Sequence, residues 1–102
     1  MNKDYFAVIF TSLQTNNVEG YSEMAEAMEN LAKQQRGYLG IESARDEIGI
    51  TVSYWESLEA IKKWKANLDH LAAQKLGKDK WYKWYKVRIC RIEREYECLN
   101  FK

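Results

Sequence analysis

No proline occurs in the 102 residues, and no linker, repeat or low-complexity stretch interrupts them. No apolar run approaches the roughly 20 residues that span a bilayer, so a membrane-spanning helix is excluded. The opening residues Met1-Asn2-Lys3-Asp4-Tyr5-Phe6 carry no secretory hydrophobic region, and a cytoplasmic location is expected. Neither sign of charge dominates: 16 Lys+Arg face 15 Asp+Glu, a net charge of +1. That balance argues against a dedicated binder of nucleic acid or of acidic surfaces, membranes included. There are two cysteines, Cys90 and Cys98. On one extended strand they stand about 26 Å apart, far beyond the roughly 7 Å between disulfide-bonded Cα atoms. Two free thiols in a reducing compartment are expected. There is no CxxC or Cys/His cluster, which excludes the usual structural zinc site. GxGxxG, P-loop, HExxH and GxSxG are all missing, so no metal or nucleotide site is indicated.

What is present is an ordinary globular composition, 46% apolar and 30% charged. The length suits a single domain over residues 1–102. Asp4 to Leu13 reads as a strand, because Tyr5, Phe6, Val8, Ile9 and Phe10 are aromatic or β-branched. The polar cluster at residues 14–17 is a turn. Val18 to Gln35 reads as a helix, with Tyr21, Met24, Ala25, Met28, Leu31 and Ala32 on one arc and Glu19, Glu23, Glu26 and Glu29 on the other. Arg36-Gly37 supplies its stop.

Tyr38–Arg45 and Ile48–Trp55 read as strands of one antiparallel hairpin turning near Asp46-Glu47. Ser57 is placed to cap a second helix, whose apolar stripe is Leu58, Ile61, Trp64, Leu68 and Leu71, with Gly77 as its stop. A last strand lies within Lys83 to Glu97. The order β-α-β-β-α-β is the ferredoxin-like α+β arrangement, one antiparallel sheet with both helices on one face. The first strand, however, is apolar on both sides: Phe6, Val8 and Phe10 on one, Tyr5, Ala7 and Ile9 on the other. An uncovered apolar sheet face demands a partner, and the simplest partner is a second copy, sheet against sheet, in a two-fold homodimer.

Several residues invite a chemical reading. His70, the single histidine, is either a general base or a solvated surface residue. A continuous helix puts it about 200° from Leu68, away from the buried stripe. A break at Asn67-Leu68-Asp69, with Asp69 as a new cap, turns it inward. Trp55, Trp64, Trp81, Tyr82, Trp84 and Tyr85 either fill the core or line a pocket for a flat aromatic molecule between sheet and helices. The lysines of residues 75–91 interleave with aromatics, as on a single-strand nucleic-acid platform. A solvated strand edge is the simpler account. Arg88 and Arg91 have opposite strand parity, so one of them points to the helix side, where its fork suits a phenolate or carboxylate.

Ser53-Tyr54-Trp55-Glu56-Ser57-Leu58-Glu59-Ala60 resembles the Y-W-x-S-x-E-A segment of antibiotic-biosynthesis-monooxygenase-like domains. The stretches 64–74 and 81–89, the first strand, the amphipathic helix and Arg36-Gly37-Tyr38-Leu39-Gly40 match as well, so the resemblance covers most of the chain. It implies a dimeric α+β barrel, and a monooxygenase that oxidises an aromatic or phenolic molecule with dioxygen, without metal or flavin. It also implies Trp64, Trp81 and Tyr82 as substrate-binding walls, and Asn67, His70 and Arg88 as the groups that deprotonate substrate or stabilise its anion. A haem-degrading branch of the same superfamily uses a histidine ten residues after the tryptophan that matches Trp64, and an asparagine on the first strand. Here Gln74 stands at the first position, and residues 5–13 hold no asparagine, which weakens the haem reading. A non-catalytic small-molecule-binding or stress-related dimer is the competing expectation.

Overall fold

The computed structural model describes residues 4–75 and 81–100, with the backbone alone over 71–75. Its elements are β1 (Tyr5–Gln14), α1 (Tyr21–Lys33), β2 (Tyr38–Arg45), β3 (Ile48–Trp55), α2 (Leu58–Lys75) and β4 (Tyr82–Ile92). The strands form one antiparallel sheet in the order β2-β3-β1-β4, the ferredoxin-like arrangement that the element order implies. The stop expected at Gly77 lies outside the described residues.

Residues opposite each other in a ladder share a face. Phe6 pairs with Trp55 and Arg91, Val8 with Ser53 and Ile89, Phe10 with Thr51 and Val87, and Ser12 with Gly49 and Tyr85. This set faces the helices. Its centre is the core, where Val8 and Trp55 meet Ala32 of α1 and Ala60 and Ile61 of α2, with Phe6, Tyr38 and Trp64 packed around them. The indole of Trp55 is fully buried, stacks on Trp64 at 4.7 Å, and donates Nε1–H to Ser53 Oγ at 2.9 Å. That bond satisfies the one polar atom the ring carries into the core.

α2 starts where its cap dictates, with Ser57 Oγ accepting from Ala60 N–H at 3.0 Å. Ile61 is buried, Trp64 and Leu68 are half-buried, and Leu58 is turned out to solvent. Ser57→Ala is expected to cost about 1 kcal/mol, the usual worth of an N-cap hydroxyl; chemical denaturation would read it as a lower midpoint at unchanged slope.

α1 is shorter than its periodicity suggests, and the reason lies in tertiary structure. The Thr15 hydroxyl accepts from Asn17 N–H at 3.1 Å, Gly20 takes a left-handed φ of 79°, and Trp81 Nε1–H donates to Glu19 O at 2.8 Å. Val18 and Glu19 are therefore held outside the helix, partly by a residue 62 positions away. At the other end α1 stops at Lys33, ahead of Arg36-Gly37. Gly37 has φ 92°, and a Cβ there would lie 2.7 Å from Ala60 Cβ, so only glycine fits this approach of the α1–β2 link to α2.

Candidate functional site

The two helices pack toward β2 and β3. Along β4 the helix-side residues Tyr85, Val87 and Ile89 stay exposed, Ile89 by 54%. Beside Phe6, Val8 and Phe10 of β1, which share their face of the sheet, they leave an uncovered helix-side strip, the trough. Trp64 packs on Trp55 in the neighbouring core, and its Nε1 is buried without a hydrogen-bond partner among the described residues. An aromatic cluster closes the Phe10 end of the trough. Phe10 stacks on Tyr85 at 5.4 Å and meets Tyr82 edge-on at 5.5 Å, while Tyr21 of α1 meets Tyr82 at 6.0 Å and Trp81 at 5.8 Å. Burial, and then its hydrogen bond to the Tyr21 hydroxyl, raises the Tyr82 pKa above that of an ordinary phenol, against the opposing pull of Arg45. Tyr82 is therefore a neutral donor near pH 7.

Of the residues expected to carry chemistry, Tyr82 borders this trough, Trp64 packs against the core, and Trp81 is buried against Tyr21 with its Nε1–H on Glu19 O. The other three stand apart. α2 runs through Asn67-Leu68-Asp69 without a break, so the turn that would bring His70 inward does not form, and His70 is exposed. Asn67 is exposed too and donates to Gln35 Oε1 at 3.3 Å. Arg88 pairs with Ile9, on the sheet face away from the helices. It is Arg91, opposite Phe6, that shares the helix side.

Sequence reasoning missed Arg45. Its Nη2 donates to the fully buried Ser12 Oγ at 2.5 Å, and its Cζ lies 6.0 Å from the centroid of the Tyr21 ring. The available signal was the hairpin register, which puts Arg45 opposite Gly49 and thus in one row with Ser12.

The outer face is apolar over Ile9, Val52, Ile48, Ile50, Leu13 and Trp84, with the last four exposed. At its Tyr5 end opens a groove of about 870 Å³ bordered by Asp4, Glu42, Glu56, Glu95 and Glu97. Tyr5 donates to Glu95 and Tyr54 to Glu42, each at 2.6 Å. The bond to Glu42, with burial second, pushes the Tyr54 pKa up to about 12, and Tyr5 is raised chiefly by its bond to Glu95. Glu42→Gln is expected to return Tyr54 toward the ordinary phenol value near 10, read as ionisation at lower pH in an ultraviolet titration. A raised phenol pKa favours the folded state below the unfolded value and loses that contribution as pH climbs through about 12, so the variant should be less stable near neutral pH but lose less stability than the wild type in alkali.

The family profile described as Antibiotic biosynthesis monooxygenase matches residues 5–76. The chain belongs to this family. A relative in Bacillus subtilis (strain 168), the uncharacterized protein YqjZ, is 47% identical over 93 residues, which are 89% of this chain and 82% of that protein. Among solved structures, PA3566 from Pseudomonas aeruginosa has a TM-score of 0.69 at 15% identity, covering 92% of this chain and 97% of that one. SnoaB, a cofactor-independent oxygenase from Streptomyces nogalater, has a TM-score of 0.68 at 11% identity, covering 92% and 97%. The two structural likenesses speak for the antibiotic biosynthesis monooxygenase fold. Among the described residues no group of three His, Cys, Asp or Glu side chains is placed to hold a metal ion.

Proposed function

We propose that this member of the antibiotic biosynthesis monooxygenase family is a cofactor-independent monooxygenase that oxidises an aromatic or phenolic small molecule with dioxygen in the helix-side trough. The observation that carries the reading is the apolar and aromatic wall left open along β4, with the neutral Tyr82 hydroxyl at its Phe10 end. A flat ring stacks on such a wall, and a neutral hydroxyl beside it can donate to an oxygen that gains charge during reaction. The substrate supplies the electrons. An activated ring CH₂ that becomes C=O gives up two hydrogens and four electrons to dioxygen; one oxygen atom joins the carbon and the other leaves as water.

The test is oxygen uptake by chelator-treated protein over a panel of bicyclic and tricyclic phenols, with labelled dioxygen. One labelled atom in the product and one dioxygen per turnover support the reading; label entering from water overturns it. Tyr82→Phe keeps the ring and removes the hydroxyl donor. It is expected to lower kcat/KM about tenfold, the worth of one such bond in a dry site.

The exposed position of His70 favours a second reading, a small-molecule-binding dimer without turnover. Ligands would then raise the unfolding temperature while oxygen uptake stays at background. In either reading the chain forms a homodimer across its apolar outer face. Lys86 and Arg88 lie on that face, opposite Thr11 and Ile9, and complement the acidic groove at its Tyr5 end.

A further inference from the structure

Arg45 ends β2, Gly49 lies opposite it as the second residue of β3, and Ser12 lies opposite Gly49 on β1. The three form one row across the helix side of the sheet. Because Gly49 has no side chain, the guanidinium lies flat across it; a Cβ there would collide with the guanidinium. Ser12, fully buried, accepts from Nη2, and Tyr21 of α1 stands over the charge. Phe10, Tyr82 and Tyr85 continue the surface. A guanidinium has five N–H donors in a planar fork, and Ser12 occupies one of them. No ion pair joins Arg45 to a carboxylate among the described residues. The residue remains open to solvent, so a ligand can reach it. A cation fixed at the rim of an aromatic wall, with no carboxylate on its fork among the described residues, is a receptor for a planar oxyanion carried by a flat ring.

We propose that Arg45, seated on Gly49 and Ser12, is the anion-recognising residue of the trough, and that its ligand is a fused-ring aromatic bearing a carboxylate. The proposal rests on the reading of the trough as the small-molecule site. The stacked Phe10–Tyr85 pair takes the ring system, and the two carboxylate oxygens meet the guanidinium side by side. Arg45 thereby chooses among aromatic molecules of one shape by charge. The fork also fixes the direction in which the ring enters, with its far edge toward Val87 and Ile89.

Titration calorimetry with 1-hydroxy-2-naphthoate and its uncharged analogue 1-hydroxy-2-naphthamide tests this on the full chain. The wild type is expected to bind the acid about tenfold or more tightly than the amide, the scale of a charge-assisted hydrogen bond. Arg45→Gln should abolish that preference, bringing the acid down to the affinity of the amide. Arg45→Lys should restore only part of it, because an ammonium lacks the fork. Gly49→Ala should weaken the acid selectively by lifting the guanidinium from its seat.

Equal wild-type affinity for acid and amide overturns the inference, as does undiminished acid binding by Arg45→Gln. In both cases a ligand still binds and the trough keeps its role. Failure of the wild type to bind either compound overturns the inference and the trough reading together. If Arg45→Gln loses amide binding as well, that variant has misfolded, and the wild-type preference and Arg45→Lys decide.

Discussion

Trp55→Ala is expected to lower the thermal unfolding midpoint by about 12–40 °C. Emptying a buried indole site costs about 3–5 kcal/mol, and each kcal/mol moves a domain near 100 residues by about 4–8 °C. Total stability for such a domain is about 5–15 kcal/mol, so the variant sits near the edge of folding at growth temperature. The reason is position. Trp55 is fully buried, touches Tyr38 edge-on at 5.7 Å and Trp64 face-on at 4.7 Å, and leaves Ser53 Oγ without its donor when removed. The hydroxyl is itself buried with Ser53, so its loss of partner adds to the cavity. Trp55→Phe should cost distinctly less, because a ring remains against Trp64. Differential scanning calorimetry on the pair separates the two contributions; equal midpoints for wild type and Trp55→Ala would show that the core lies elsewhere.

Ile48→Lys combined with Ile50→Lys is expected to convert a dimer into a monomer without unfolding it. Both side chains are about half exposed in the single chain, so the fold of one protomer loses little. Across a two-fold axis the same changes place four ammonium groups in a surface meant to be dry, and burying unpaired charges costs several kcal/mol each. Sedimentation equilibrium should give twice the 12.1 kDa chain mass for the wild type and the single mass for the variant. The wild-type association should also weaken as salt rises, because Lys86 and Arg88 complement the acidic groove only while screening is weak. A wild type that sediments at 12.1 kDa at micromolar concentration would remove the pairing.

Much of the architecture could be read from local pattern. The hairpin strands end at the residues that their alternation marks, and Ser57 caps α2 as its type suggests. The site was less legible, because its parts meet through register. That Arg88 and Arg91 face opposite sides follows from parity, but which one faces the helices depends on pairing with β1, and pairing is not local. Arg45 carried no signal of its own: an arginine at a hairpin end reads as a surface charge until Gly49 and Ser12 are known to share its row. The early end of α1 was hidden for the same reason, since Trp81 holds Glu19 from far along the chain. His70 is the reverse case. The helical angle already pointed it away from the buried stripe, and the unbroken α2 keeps it there.

The place of β1 at the middle of the sheet has a consequence for synthesis. Its ten residues are translated ahead of both of their ladder partners, Ile48–Trp55 and Tyr82–Ile92. Until the second of these is translated, the strand keeps one flank of its backbone unpaired, and its oily residues are exposed to other nascent chains. The synthesis of β4 therefore carries unusual weight, and truncations that remove it would be expected to yield insoluble product.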